Sequence, residues 1–225
     1  MKTIGIIPAR GGSKGIPGKN IKTISGKPLI EFTIESAFDS KSIDTLVVST
    51  DSNDIISAVK KYKNLVIVKR PIELCTDYST TESCLLHACK QVEDKINVMH
   101  DIVVTLEPTS PLRKKDTISK AVNILKNKNF DSVMGVVETD SLIGRIIDNK
   151  FEYIFKNQSR RRQDRLFLYK ESSTIWATKY DALKKNNSVL GKKIYPLIVS
   201  KEEAIDINTN FDFISAEAHL INNKL

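Results

Sequence analysis

The feature that most constrains this chain is a rhythm. Short apolar, β-branched runs at residues 3–7, 46–49, 65–68, 102–106 and 133–137 alternate with longer stretches whose apolar residues recur at helical spacing. Leu29, Phe32, Ile34, Ala37 and Phe38 follow Pro28, which suits the first turn of a helix. Ile55, Ile56 and Val59 follow the cap residues Asp51 and Ser52. Leu85, Leu86 and Ala88 follow the Ser79–Thr80–Thr81 cluster, and Ile118, Val122 and Leu125 follow Asp116. Repeated strand–helix–strand units build a parallel sheet with helices on both faces, the α/β, Rossmann-like class. Right-handed crossovers then gather the C-terminal strand ends at one edge, where open α/β sheets bind ligands.

The rhythm breaks after Glu138. Residues 139–172 hold two strand-like pieces, 143–147 and 151–155, and then a run of arginines, the pattern of an inserted antiparallel arm. Alternation resumes with a strand at 174–178, a helix near 180–184, a strand at 193–199 and a last helix from about Asn210. The 225 residues therefore read as one domain, 1–225, carrying the arm. No apolar run reaches the roughly 18 residues of a membrane span, and the first runs directly into Pro8 and Arg10, unlike a signal peptide. A cytoplasmic protein without a membrane partner is the expectation. Cys75, Cys84 and Cys89 are odd in number and form no C-x-x-C, and His87, His100 and His219 are scattered, so disulfide, zinc and His-centred triad chemistry lack support.

The net charge of +8 points to an anionic ligand. No basic stripe interleaved with aromatics occurs, so nucleic acid is not the expected partner. Of the 35 Lys and Arg only eight are Arg, and four of these fall at Arg160, Arg161, Arg162 and Arg165, where a planar fork for a carboxylate or phosphate is in place. The most informative stretch is Pro8-Ala9-Arg10-Gly11-Gly12-Ser13-Lys14-Gly15-Ile16-Pro17-Gly18-Lys19-Asn20. Glycines let a backbone approach a ligand closely, and three cations on the same loop answer a triphosphate. The spacing fits neither the Walker A loop nor the G-x-G-x-x-G dinucleotide fingerprint.

Four further segments fall at strand ends. They are Arg70-Pro71 through Asp77 and Ser79, Glu107-Pro108-Thr109-Ser110-Pro111-Leu112-Arg113, Arg160 to Asp164, and Ala204 to Thr209. Each has a plain structural reading; for the last, Asp206 and Asn208 would cap the final helix with Thr209. With the glycine loop, these motifs over nearly the whole chain resemble the acylneuraminate cytidylyltransferases (CMP-sialic acid synthetases), with the KDO cytidylyltransferases as cousins.

The resemblance implies transfer of CMP from CTP to the anomeric hydroxyl of a nonulosonic sugar acid, with Mg²⁺ as cofactor and a homodimer built through the arm. Phosphoryl transfer of this kind is mostly positioning and charge stabilisation. By resemblance Arg10, Lys19 and Asp206 are catalytic. Ala9, Arg10, Gly11, Ser13, Lys14, Lys19, Asn20, Arg70, Asp77 and Ser79 hold the nucleotide. Glu107, Arg162 and Gln163 contact the sugar, with Arg162 on its carboxylate, and Asp206, Glu107 and Asn208 surround the metal. Three departures from the family pattern stand out: Glu107 where Gln is usual, Asn208 where a second Asp is usual, and Glu171-Ser172-Ser173 in place of an Asn-Gly-Ala run. Glu107 could thus replace the carboxylate missing at Asn208. A sugar 1-phosphate or KDO-type acceptor, or a non-catalytic nucleotide-binding protein, is the competing reading.

Overall fold

The computed structural model describes residues 1–13 and 15–222; Lys14, a predicted cation of the glycine loop, lies outside the described residues. The chain opens with β1 (Thr3–Pro8), whose residues are buried on both faces. After the glycine loop, a short ribbon of β2 (Thr23–Ile24) and β3 (Lys27–Pro28) leads into α1 (Leu29–Asp39). Pro28 is the residue before the helix, not part of its first turn, with an extended ψ of 138°. The repeating part continues with β4 (Thr45–Thr50), α2 (Asn53–Val59), β5 (Leu65–Lys69), α3 (Thr81–Ile96), β6 (Ile102–Thr105), α4 (Lys115–Asn127) and β7 (Ser132–Thr139). Ser52 and Thr80 cap α2 and α3 by accepting from the amides of Ile55 and Ser83. Asp116 does not precede α4 but lies in its first turn, where its charge suits the positive end of the helix dipole.

The predicted arm forms as a hairpin of β8 (Gly144–Ile147) and β9 (Lys150–Tyr153). Its two turn residues, Asp148 and Asn149, have φ of 48° and 63°, the pair of positive angles that a two-residue hairpin turn matched to strand twist requires. The chain returns as β10 (Leu168–Lys179), followed by α5 (Tyr180–Asn186), β11 (Ile194–Ile198) and α6 (Asn210–Asn222).

Seven strands form the main sheet in the order β11-β7-β10-β6-β1-β4-β5. All neighbours are parallel except β10, which runs antiparallel to both β6 and β7. The arm begins and ends at the edge where β7 leaves the sheet, so the returning strand runs back the other way. Along the central strands alternate side chains enter opposite cores. Ile7, Leu46, Val48, Ile102 and Val104 pack with α1, α2 and α4. Ile4, Ile6, Val47 and Val103 pack with α3 and α5. Helices therefore cover both faces, as the periodicity predicts. Strand order reverses between β1 and β6: β4 and β5 lie to one side of β1, and the next strand, β6, to the other. In open α/β sheets the crevice beyond the strand ends at such a reversal is the ligand site.

Candidate active site

The loops leaving β1 and β6 meet at this crevice. A cavity of about 270 Å³ opens there, lined by Arg10, Ser13, Lys19, Asn20, Glu107 and Asn208 among others. A second, of about 260 Å³, holds Arg10, Arg70, Asp77, Ser79 and Glu107. Arg10 and Glu107 line both, so the two chambers adjoin across the strand ends. The structure thus brings together most of the nucleotide-side residues expected from the sequence.

The loop is held in place by its own backbone. Ala9 is fully buried in the core and its amide donates to the Ser49 carbonyl, so it contributes main chain only. The Gly11 amide donates to Asp51 Oδ1 at 2.8 Å, and Asn20 Nδ2 donates to the Arg10 carbonyl at 3.0 Å. A Cβ on Gly15 would stand 2.4 Å from the carbonyl oxygen of Asn208, so only glycine lets the loop lie against the C-terminal segment at this point. Gly18, with φ of 61°, turns the chain into the short helix that carries Lys19 and Asn20. Lys19 Nζ donates to the carbonyl of Ile207 at 2.7 Å. Burial lowers its pKa, opposed by the negative charges of Asp206, Glu107 and Asp212. Arg10 reaches across the second chamber to Asp77, Nη1 to Oδ1 at 3.0 Å.

Arg70 is buried, with Nη2 and Nε donating to the carbonyl and hydroxyl of Ser49, so the end of β5 is clamped onto β4 while the guanidinium still faces the second chamber. Ser79 accepts from the Thr76 amide and donates to the Glu73 carbonyl, which closes the loop that bears Asp77. Arg113, quoted in the sequence motif but given no role, is the organiser of the β6 exit. It is buried and donates to the carbonyls of Thr174 and Glu107 and to the hydroxyl of Thr33, joining β10, the turn and α1. Ser110 meets Ser173 hydroxyl to hydroxyl at 3.1 Å. The register slip in β10 between Glu171 and Trp176 supplies both of these β10 anchors, Ser173 and Thr174. Burial pushes the Glu107 carboxyl up to about 7, helped by Asp206 and opposed by Arg113, Arg70 and Lys19. That carboxylate has no hydrogen bond or ion pair among the described residues.

The C-terminal segment is pinned to the same turn, with the Ile207 amide donating to the Thr109 carbonyl at 2.9 Å. Of the cap expected from Asp206, Asn208 and Thr209, only Thr209 takes part: Thr209 and Asp212 cap α6 reciprocally, Asp212 Oδ2 accepting from the Thr209 amide and Thr209 Oγ1 from the Asp212 amide. Asp206 and Asn208 are thereby released. Asn208 Nδ2 donates to Asp206 Oδ2 at 2.7 Å, and Asp206 Oδ1 is buried without a partner. Arg162 and Gln163 are not among the residues lining either chamber. Both are exposed on the arm, and Arg162 is ion-paired with Asp140. Arg165 is occupied in holding its own loop through the carbonyls of Ser159, Asp140 and Arg160.

Residues 4–197 match the family described as cytidylyltransferase. The chain belongs to the cytidylyltransferase family. The chain is 33% identical to the N-acylneuraminate cytidylyltransferase of Streptococcus agalactiae over 98% of its own length and 54% of that protein. It therefore spans about half the length of its streptococcal relatives. It is 32% identical to the CMP-N,N'-diacetyllegionaminic acid synthase of Legionella pneumophila, covering 96% of this chain and 95% of that one. Its fold resembles that of a CMP:2-keto-3-deoxy-manno-octonic acid synthetase solved with CTP, with a TM-score of 0.72 at 17% identity over the whole of both chains. No helix among the described residues is long and apolar enough to cross a membrane.

Proposed function

We propose that this chain transfers CMP from CTP to the anomeric hydroxyl of an N-acylneuraminate-like sugar acid and releases pyrophosphate. The observation that carries the reading is the pair of adjoining chambers at the strand reversal, with Arg10, Lys19 and Asn20 from the glycine loop on one side and Glu107 on the other. The names of the relatives point the same way, two of them being synthases or transferases of CMP-linked nine-carbon sugar acids.

In this reading the acceptor hydroxyl gives up its proton to solvent as its oxygen bonds to the α-phosphorus, the bond from that phosphorus to the bridging oxygen breaks, and pyrophosphate leaves with the electron pair. Lys19, fixed on Ile207, and Arg10, released from Asp77, oppose the charge on the phosphates, and desolvation strengthens both attractions. Arg70, Asp77 and Ser79 bound the chamber for the nucleoside. Arg162 and Gln163 reach the sugar from the arm.

Asp206, Glu107 and Asn208 would hold Mg²⁺. The orphaned, buried Oδ1 of Asp206 and the unpartnered Glu107 carboxylate are hard oxygen donors of the type this ion takes. Among the described residues no three acidic, imidazole or thiol groups gather at one point. One or two carboxylates completed by phosphate oxygens and water are what Mg²⁺ uses in nucleotide sites. When bound, the ion would neutralise phosphate charge.

The exposed apolar residues of the arm, among them Ile146, Phe151, Leu166 and Phe167, support a homodimer built through residues 139–172. Free thiols at Cys75, Cys84 and Cys89 support the cytoplasm as the site of action. The test is pyrophosphate release with CTP, Mg²⁺ and N-acetylneuraminate, N,N'-diacetyllegionaminate or pseudaminate. Turnover with at least one acid is expected, and none with any of them overturns the proposal.

A further inference from the structure

The glycine loop and the segment between β5 and α3 face each other across the second chamber, and one ion pair joins them. Arg10 Nη1 donates to Asp77 Oδ1 at 3.0 Å. Each end is anchored by contacts other than the pair. The Arg10 carbonyl accepts from Asn20 Nδ2, and the next amide, that of Gly11, donates to Asp51. Asp77 stands on a loop closed by Ser79, whose hydroxyl donates to the Glu73 carbonyl and accepts from the Thr76 amide. The pair can therefore open while both loops keep their shape.

Arg10 lines both chambers, so a phosphate group in either of them draws on the same guanidinium. The bond to Asp77 is the one hydrogen bond that this guanidinium makes among the described residues. The other cations of the two chambers are held differently. Lys19 and Arg70 bond to neutral oxygens, the carbonyl of Ile207 and the carbonyl and hydroxyl of Ser49, and neither forms an ion pair among the described residues. Arg10 is close enough to Lys19 to disfavour its charge, which adds to the value of a counter-charge on Arg10. Of these three cations, the one shared by both chambers is thus the one that a carboxylate holds. A phosphate takes Arg10 only by displacing Asp77, one anion for another.

We infer that Asp77 is a positioning residue that competes with phosphates for Arg10: it yields the guanidinium to the triphosphate and reclaims it as pyrophosphate leaves. The inference rests on the CTP reading above and assigns Asp77 to the phosphates, not to the nucleoside. Such an exchange weakens the binding of CTP and of pyrophosphate by similar factors, and for pyrophosphate the weakening speeds release.

The experiment uses the full chain, Asp77→Asn, Arg10→Gln and the double variant. Calorimetry with Mg²⁺ at low ionic strength gives the affinities for CTP and pyrophosphate, and displacement of CTP gives that for cytidine. Asparagine keeps the size of the side chain and removes its charge, and thermal melting checks the fold. The paired side chains are 36% and 47% exposed, so Asp77→Asn is expected to tighten CTP and pyrophosphate by about three- to fivefold, which is what an exposed ion pair is worth. Cytidine carries no phosphate, and its affinity should not change. In the Arg10→Gln background Asp77→Asn should have no effect, because no guanidinium is left to compete for; this cycle separates the exchange from the general field of the Asp77 charge. An affinity for CTP or pyrophosphate that is unchanged or lower in Asp77→Asn, a parallel gain for cytidine, or a gain that persists without Arg10 overturns the assignment. Absence of CTP binding by the unaltered chain overturns the functional reading itself, and the assignment falls with it.

Discussion

Replacing Glu107 by glutamine removes a buried carboxyl that folding holds well above its ordinary range, at about 7 instead of 4.5. A raised carboxyl pKa means that the folded chain binds the proton more tightly than the unfolded one. Stability is therefore fullest below pH 4.5, falls as the pH rises from there through 7 while the unfolded state is ionised and the folded state still holds its proton, and levels off above that. Integrated between pH 5 and pH 8, the loss is about 2–3 kcal/mol. Glutamine is nearly the same size and carries no charge, so Glu107→Gln escapes it. Urea unfolding with a chelator present, at pH 5 and at pH 8, measures the difference. The stability advantage of the variant over the parent should grow by about 2–3 kcal/mol from pH 5 to pH 8. Equal stability changes at the two pH values, or a variant less stable at pH 8, would refute the claim that burial governs this group.

Three other outcomes follow from particular contacts. Gly15→Ala places a methyl group 2.4 Å from the Asn208 carbonyl oxygen, and the displacement should cost about 1–3 kcal/mol in thermal or urea unfolding and raise the KM for CTP. Lys19→Gln removes both the anchor on Ile207 and a cation of the phosphate chamber, so kcat/KM for CTP should fall by at least about tenfold in steady-state assays. Leu166→Ser/Phe167→Ser polarises two residues that are 62% and 77% exposed on the arm, and light scattering should report the proposed dimer shifting towards monomer while the melting temperature of the main sheet holds.

The sheet was legible because its strands are buried on both faces, so residues 3–7, 46–49 and 102–106 are short, mostly apolar runs rich in β-branched residues and without a helical period. β10 was only half legible. In its first half Tyr169 to Glu171 are exposed and Ser172 and Ser173 are small and polar, because the strand leaves the arm and then slips register to deliver Ser173 and Thr174 to the turn after β6. Direction is equally absent from periodicity, and the antiparallel course of β10 follows only from where the arm leaves the sheet. At the site, residue type announced chemistry but not employment. Arg10 and Lys19 face the chamber as their loop implies, whereas Arg165 and Arg113, as conspicuous in the sequence, hold backbone carbonyls. Asp212 outcompetes Asp206 and Asn208 for the helix cap because it stands three residues after Thr209, and that spacing was readable in advance.

Calorimetric titration of the full chain with CTP in the presence of Mg²⁺ addresses the glycine-loop cradle itself, independently of any acceptor. Saturable binding at one site per chain, weakened in Lys19→Gln, is the predicted result. Absence of binding by CTP, UTP, GTP and ATP alike would contradict the account.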